Sequence, residues 1–316
     1  MKRNFSIAVK DFCWYTSFSI IRGFGSSNLK FLLVIVLLTA PNFAQERKVD
    51  PTWLHRYVPK VNETANSMSS PSCHYRPIFG EGDSDARQMQ SVARFAELTV
   101  DPNGSCQTVL HDREEDLYFV LQGSSVLQFG NEKLPMRTND FTYLPPGAKH
   151  LITNSGQQPS QILVIGFKVP AGVATNQQPA HPKIVNLDSV KEETVSGHPS
   201  SVLYKLLAGS HNATRDAIDE GYVLISFFSM DFAPGGTNFP HHHEAAEEIY
   251  LVIDGEGEMV AGGGMDGVEG RFPAKAGDAY YFRPNCTVGF YNQNNPGAKA
   301  HILAVRSKIA LPKDDD

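Results

Sequence analysis

Two histidines and a glutamate in the second half of the chain have the residue types and the spacing of metal ligands. His241 and His243 stand two residues apart, and Glu248 begins the apolar run that follows. Side chains two positions apart on a strand share a face, so both imidazoles can point inward beside the carboxylate. Imidazole and carboxylate groups suit divalent transition metals such as Fe, Mn, Zn or Ni. A solvated surface cluster of histidines is the alternative, and the matched glutamate and flanking glycines favour the metal site.

A related set of residues occupies the first half of the chain. At a constant offset of 132 residues, His111 aligns with His243 and Asp116 with Glu248, and His150 supplies a second imidazole. Asp116 is shorter than a glutamate by one methylene and lies in a charged run that is typical of a solvated loop. We therefore expect the main metal site in the second half, and a secondary one at His111, Asp116 and His150.

Three further side chains near the second set are predicted to contact a ligand. Tyr281, Arg283 and Tyr291 fall on strands predicted after Glu248. A guanidinium can hold a carboxylate through two parallel hydrogen bonds, so Arg283 favours a small polar or carboxylated ligand. A solvated arginine at the rim of a domain is an equally weighted alternative for this residue. These patterns assign no catalytic residue, and they leave open whether the protein is an enzyme.

Short strands must position these residues, because no long segment has a convincing helical period. The apolar runs are rich in β-branched and aromatic residues and are bounded by Gly, Pro or Asn. The predicted strands of the first half are Val92–Val100, Leu117–Leu121, Val126–Phe129, Phe141–Leu144 and Gln161–Val169. Those of the second half are Tyr222–Phe232, Ile249–Ile253, Glu258–Ala261, Ala279–Phe282, Thr287–Tyr291 and Ala300–Val305. Since Glu115–Gly123 also aligns with Glu247–Gly255, two tandem β domains are expected.

Both halves resemble the cupin family. The first cupin signature is met in the second half at Gly235, His241, His243, Glu248 and Gly255. The second cupin signature is met in the first half at Pro145, Gly147, His150 and Asn154. The resemblance implies an all-β chain with two tandem cupin barrels, each a double-stranded β-helix or jelly roll, and therefore a bicupin.

The resemblance also implies a metal site of three histidines and one glutamate in each barrel, and neither half supplies the complete set. In the second half the position of the fourth ligand falls on Val288 or Gly289, and in the first half Val109 replaces the first histidine. Oxalate decarboxylases and flavonol dioxygenases have three histidines in a working site. No named reaction is therefore expected from the resemblance.

The start of the chain is interpreted as a secretory signal. Phe31–Ala40 is apolar but spans only ~15 Å as a helix, half of a ~30 Å bilayer core. A small residue, Ala44, follows where a signal peptidase can cut. A membrane anchor is the less favoured alternative. The predicted organisation is a signal segment at 1–44, an N-terminal extension at 45–70, an N-terminal cupin domain at 71–170, a linker at 171–200, a C-terminal cupin domain at 201–312 and an acidic tail at 313–316.

Charge and cysteine content restrict the partners and the compartment. A net charge of −6 argues against binding to nucleic acid, which needs a basic surface. Of the three cysteines after residue 44, Cys73 and Cys106 can form a bridge in an oxidising compartment, although buried thiols are favoured.

Two functions from different classes fit these observations. The first is an exported bicupin, periplasmic or extracellular, that binds a divalent transition metal mainly in its C-terminal barrel. It would act on a small polar or carboxylated molecule by an oxidative, lyase or isomerase type of reaction. The alternative is a non-catalytic cupin that binds a sugar or an organic acid through a degenerate metal site. Neither requires nucleic acid or a stable membrane span after signal cleavage, and a homo-oligomer is compatible with both.

Overall fold

β-Strands make up nearly all of the regular structure, and the predicted all-β fold of two tandem barrels is confirmed. The computed structural model of the protein describes residues 52–175, 181–263 and 269–309. The predicted signal segment and the acidic tail lie outside these residues. All the strands predicted from apolar runs lie within or overlap observed ones, because alternating β-branched and aromatic residues fit a pleated, half-buried surface.

Each barrel consists of a large and a small sheet. The strands of the first barrel are β2 (Cys73–Gly80), β3 (Val92–Val100), β4 (Glu114–Gln122), β5 (Ser124–Phe129), β6 (Glu132–Arg137), β7 (Asp140–Leu144), β8 (His150–Thr153) and β9 (Ser160–Lys168). Those of the second barrel are β11 (Val202–Ser210), β12 (Ile218–Gly221), β13 (Leu224–Phe232), β14 (Ala246–Asp254), β15 (Glu256–Gly263), β16 (Glu269–Lys275), β17 (Asp278–Phe282), β18 (Cys286–Asn292) and β19 (Ala300–Lys308). Two short strands, β1 (Trp53–Tyr57) and β10 (Val185–Asn186), lie in the segment before the first barrel and in the segment between the barrels.

The two barrels repeat the same strand order. The large sheets run β7-β4-β9-β3-β2 in the first barrel and β17-β14-β19-β13-β11-β12 in the second, and the small sheets run β6-β5-β8 and β16-β15-β18. Pairing is antiparallel except between β11 and β12. Equivalent strands therefore carry equivalent residues, which allows the two candidate sites to be compared position by position.

Two short strands outside the barrel repeats complete the edges of the large sheets, and one of them, β1, crosses to the second barrel. All five residues of β1 pair with β17, so the beginning of the described chain completes the sheet of the second barrel. Strand β10, which follows the first barrel in sequence, pairs back with β7. Part of the predicted N-terminal extension is thus built into the C-terminal barrel.

A shared apolar core lies between the large sheets. Leu117 and Phe119 of β4 face this inter-barrel core, whereas Tyr118 and Val120 of the same strand face the interior of the first barrel. This alternation follows from the two-residue period of a strand. From the second barrel, Phe227 packs edge-on against Phe119, with ring centroids 5.9 Å apart. Both faces of each large sheet are therefore buried.

Two buried glutamates fasten the barrels to each other. Glu115 of β4 accepts hydrogen bonds from the backbone N–H groups of Val223 and Leu224 at 2.9 and 2.6 Å. In the reciprocal arrangement, Glu247 of β14 accepts from the N–H and the hydroxyl of Ser91 at 2.8 and 2.5 Å. Neither carboxylate is more than 1% exposed. We call these contacts the glutamate clasps.

The cysteine interpretation needs a correction. Cys73 and Cys106 are joined by a disulfide, although buried thiols were favoured from the sequence. The reason is local: Cys73, at the start of β2, and Cys106, in the loop after β3, have Cα atoms 4.9 Å apart. Cys286 is buried in the second barrel. Among the described residues, no helix has the length and hydropathy needed to cross a membrane.

Candidate metal and ligand site

The second barrel brings its three predicted ligands together. Donor atoms of His241, His243 and Glu248 all lie within 4.8 Å of one another. Glu248 projects from β14, and the two histidines lie in the segment that leads into this strand. His241 exchanges backbone hydrogen bonds with Val288 of β18 at 2.9 and 2.8 Å, which fixes the segment across the barrel mouth. Val288, at the predicted position of the fourth ligand, is buried and supplies no donor atom.

His241 is held in one tautomer by its own backbone segment. Its Nδ1 lies 2.8 Å from the carbonyl oxygen of Phe239, so Nδ1 carries the proton and Nε2 keeps a free electron pair. Phe239 adopts a φ of 52°, in the left-handed region that a bulky residue rarely occupies. Burial lowers the pKa of His241 from its ordinary value, which favours the neutral ligand form.

Glu248 is a buried carboxylate with capacity left for a cation. It is 2% exposed. Its Oε2 lies 3.2 Å from Nε2 of His243 but accepts no well-aligned hydrogen bond. Burial raises the pKa of the carboxyl, but His243, Arg306 and His241 outweigh this, so the pKa lies below its ordinary value. An ionised, buried oxygen without a hydrogen bond, beside two imidazoles, fits a divalent transition metal.

The sequence interpretation missed Arg306, whose guanidinium lies next to these three residues. Arg306 is directly opposite Glu248 in the pairing of β19 with β14. Its Nη1 lies 3.0 Å from Nε2 of His243. The predicted strand ends at Val305, three residues before the end of β19 and one residue before Arg306. The two-residue alternation of the strand could have identified Arg306, because it follows Ala304 on the face that points into the barrel.

A cavity in the barrel interior connects these groups to further polar side chains. Arg306, Glu248 and His241 line it together with Arg215 and Tyr204. The hydroxyl of Tyr204 is buried and has no hydrogen-bond partner. The rest of the wall mixes polar with apolar side chains, among them His198, Ser226 and Asn238 beside Val195, Leu206 and Phe228. This arrangement can hold a small anionic molecule with polar groups at one end.

The three predicted substrate-binding residues lie elsewhere, which corrects that expectation. Tyr281 pairs with Ile249 and not with Glu248, so it faces the inter-barrel core, where its hydroxyl donates to Glu247 at 2.6 Å. The ring of Tyr291 is covered by a guanidinium whose Cζ is 4.0 Å from the ring centroid. Arg283 follows β17, with its backbone N–H bonded to the carbonyl of Thr52. None of the three lines the cavity described above.

The first barrel brings together only part of its predicted set. His111 Nδ1 lies 2.7 Å from Oδ2 of Asp116, and Glu114 completes a group whose ligand atoms lie within 4.8 Å. His150 is outside that group. Its Nδ1 donates to the carbonyl of Ala148 at 2.7 Å, and its Nε2 lies 2.6 Å from the hydroxyl of Tyr118. Both ring nitrogens of His150 are therefore engaged within the barrel.

Comparison with known proteins identifies the same two segments. The sequence model of the family described as "Cupin domain" matches residues 96–166 and 228–305. The chain is 35% identical over 68 residues to the uncharacterized protein MJ1618 of Methanocaldococcus jannaschii, a match that covers 21% of this chain and 54% of that protein. It is 27% identical over 78 residues to the oxalate-binding protein of Thermotoga maritima, covering 24% and 64% of the two chains. The chain thus spans less than two thirds of the length of these relatives.

Solved structures share the fold over most of the chain. The protein Ylba from E. coli superposes with a TM-score of 0.60 at 14% identity, covering 83% of this chain and 93% of that one. The DEL162-163 mutant of Bacillus subtilis oxalate decarboxylase OxdC superposes with a TM-score of 0.58 at 14% identity, covering 81% and 76%. At this level of identity the similarity shows the fold alone.

Proposed function

Because this chain belongs to the cupin superfamily and carries two cupin domains in tandem, we propose that it binds a divalent transition metal in its second barrel and a small carboxylated molecule beside it. The ligands of the metal are His241, His243 and Glu248. The observation that carries the proposal is the buried Oε2 of Glu248, which lies beside two imidazoles and accepts no well-aligned hydrogen bond among the described residues. A metal bound there supplies Lewis-acid chemistry to an oxygen of the carboxylated molecule.

The side chains around the metal ligands favour an anionic molecule. The guanidinium of Arg306 donates to a carboxylate, and its charge offsets that of the ligand in the barrel interior. Tyr204 adds a buried hydroxyl that has no partner among the residues the structure describes, and Arg215 adds a second cation at the cavity wall. The name of an oxalate-binding relative from Thermotoga maritima points to the same class of molecule.

A non-catalytic binding protein is the second candidate function. The relative from Thermotoga maritima is named for binding oxalate, and the position opposite His241 holds Val288 in place of a fourth ligand. The two functions are distinguished by incubating the metal-loaded protein with oxalate and other small carboxylates. Loss of the carboxylate with turnover supports an enzyme, whereas saturable binding without a product supports the binding protein.

The metal site is tested by two matched substitutions. His243→Ala removes one of three ligands, so we expect the second barrel to lose most of its metal. His242→Ala removes an exposed imidazole between the two ligands and should leave the metal content unchanged. Metal content is measured by mass spectrometry of the purified full-length variants after equilibration with Mn(II) or Zn(II). Equal metal content in the two variants would contradict the assignment.

We also propose that the protein is exported. Support comes from the apolar run Phe31–Ala40 and from the Cys73–Cys106 disulfide, since disulfides persist mainly in oxidising compartments. Intact-mass measurement of the protein from its native host tests this proposal. A mature chain that begins at Gln45 and contains one disulfide supports export, and a chain that retains Phe31–Ala40 contradicts signal cleavage.

A further inference from the structure

Each barrel places one guanidinium beside the carboxylate of its candidate site, but the two arginines come from different strands. In the first barrel, Asp116 of β4 pairs with Gly166 of β9, which pairs with Arg94 of β3. At the same three positions of the second barrel stand Glu248, Arg306 and Ser226. The arginine and the small residue have thus exchanged strands.

Gly166 is the residue that lets Arg94 reach across the intervening strand. A Cβ atom at position 166 would lie 2.5 Å from Nη1 of Arg94 and 3.1 Å from Oδ1 of Asp116. A side chain at position 166 of β9 would therefore displace the guanidinium. In the second barrel, β19 itself carries the arginine, and the outer strand needs only Ser226. The first barrel is built so that a cation from β3 reaches its carboxylate.

The guanidinium of Arg94 is almost entirely surrounded by anionic groups. It is 3% exposed. Its Nη1 donates to Asp116 at 2.7 Å, its Nη2 to Glu114 at 2.5 Å, and its Nε to Glu81 at 3.3 Å. The three donor nitrogens are each occupied by a carboxylate, so little is left to recognise an anionic ligand.

The remaining groups of the first site are also engaged. Asp116 uses Oδ1 for Arg94 and Oδ2 for the Nδ1–H of His111. Nε2 of His111 is the atom of this ring that has no partner, and a single imidazole nitrogen does not make a metal site. In the second barrel the arginine instead approaches His243, and one oxygen of Glu248 has no hydrogen bond. The residues of the first barrel therefore do not fit a metal as those of the second do.

We propose that Arg94 is a built-in cation that replaces the metal ion in the first barrel. The Arg94 guanidinium already donates to the carboxylate oxygens that a divalent cation would need, whereas Arg306 approaches His243 and makes no hydrogen bond to Glu248 among the described residues. A divalent cation among the oxygens of Asp116 and Glu114 would have to displace the Arg94 guanidinium. The first barrel is then a structural unit that binds no divalent metal, and His111, Asp116 and His150 are not metal ligands. The contrast with a metal-binding second barrel rests on the proposed function, but the inference that the first barrel binds no divalent metal does not.

Metal stoichiometry tests the proposal on the full-length protein. The double variant His241→Ala/His243→Ala disables the second site and leaves the first intact. After stripping with a chelator and equilibration with Mn(II) or Zn(II), we expect at most one metal per chain in the wild-type protein and none in the double variant. One equivalent that persists in the double variant and is lost on adding His111→Ala would overturn the proposal. A wild-type protein without metal would instead overturn the proposed function while agreeing with this inference.

A rescue experiment tests the replacement directly. In the double-variant background, Arg94→Ser leaves Asp116 without its cation, so the melting temperature should fall, and added Zn(II) should restore part of the loss. Arg94→Lys keeps a charge and should show no such response to metal. Arg76→Ser is the matched control, because Arg76 donates to Glu97 at 2.6 Å in the same sheet, and the nearby His74 pairs with Glu63 and Asp101 instead of Glu97. If Zn(II) stabilises the Arg94→Ser and Arg76→Ser variants equally, or stabilises neither of them, the proposal that Arg94 replaces a metal ion is wrong. If Arg94→Ser does not fold, Arg94→Lys and the stoichiometry still decide the question.

Discussion

The backbone carbonyl of Phe239 determines which ring nitrogen of His241 faces the candidate metal site. Because the Phe239 carbonyl accepts from Nδ1, the ring cannot present that nitrogen to a metal, and Nε2 is left as the donor. The unusual φ of Phe239 turns this carbonyl toward the imidazole. The same histidine in an ordinary turn would have both nitrogens free to choose partners. The strain at Phe239 therefore contributes to the orientation of a ligand two residues away.

Arg306 is expected to bind the carboxylated molecule without holding the metal. Arg306→Ala should weaken the binding of oxalate to the metal-loaded protein by roughly 10- to 100-fold, the loss of one or two charge-assisted hydrogen bonds. The metal content should not change. Isothermal titration calorimetry measures the affinity, and Arg283→Ala serves as the control because Arg283 is not among the residues that line the cavity. An equal loss of affinity in both variants would show that a general change in charge is responsible.

Asp216 is expected to make stability depend on pH. Burial raises the pKa of this carboxyl to about 6, with Arg215 lowering it and Asp219 raising it again. The folded-state pKa of Asp216 lies above the ordinary value of 3.8. The contribution of Asp216 to the free energy of unfolding is therefore full at low pH and is lost as pH rises through 6.

The substitution Asp216→Asn tests this dependence. At pH 7 the free energy of unfolding of the variant, measured by denaturant titration, should exceed that of the wild type by on the order of 1 kcal/mol. This difference should vanish near pH 4. Asp254→Asn, at an exposed position, is the control. A difference between Asp216→Asn and the wild type that is the same at both pH values would contradict the assignment.

At the scale of elements, each glutamate clasp joins a strand of one barrel to the loop before a strand of the other. Glu247 directly precedes the proposed metal ligand Glu248, and the backbone that it binds at Ser91 leads into the strand of Arg94. The strands that carry the two candidate sites are therefore positioned by contacts from the opposite barrel.

Removal of a clasp should destabilise the whole chain. Glu247→Ala removes the carboxylate that accepts from the backbone N–H groups of Gln90 and Ser91, so we expect a loss of about 3–5 kcal/mol in the free energy of unfolding. Chemical denaturation followed by circular dichroism measures it. Glu258→Ala, on an exposed part of β15, should change stability by less than about 0.5 kcal/mol. Equal effects would rule out the clasp as a stabilising contact.

The positions of the strands could be predicted from the sequence better than the side of each sheet on which a given side chain lies. The apolar strands such as β3 and β19 were found because their alternation is local, whereas β6, with charged residues and Pro135, has no such pattern. Tyr281 was placed in the site because it is near Glu248 in the repeat, but strand register turns it toward the other barrel. The exchange of Arg94 and Gly166 depends on the pairing of three strands that are far apart in sequence. No local pattern contains that information.

At the scale of the whole molecule, the two barrels are expected to unfold together. Phe227 of the second barrel packs against Phe119 and Phe141 of the first, at centroid distances of 5.9 and 6.5 Å. Phe227→Ala should cost about 3–5 kcal/mol and shift a single thermal transition to lower temperature. Differential scanning calorimetry distinguishes this from two transitions of which only one moves. Two separate transitions would show that the shared core does not couple the barrels.

The pairing of β1 with β17 has a consequence for the order of events during synthesis. Contacts such as the 2.9 Å hydrogen bond between His55 and Asp278 join residues 223 positions apart. The strand that completes the second barrel therefore leaves the ribosome long before its partner exists, and the first barrel is synthesised in between. During that interval β1 has an unpaired edge, which is a template for association with other chains. A nascent chain of this protein consequently needs protection at its earliest described residues until almost its last strand has been made.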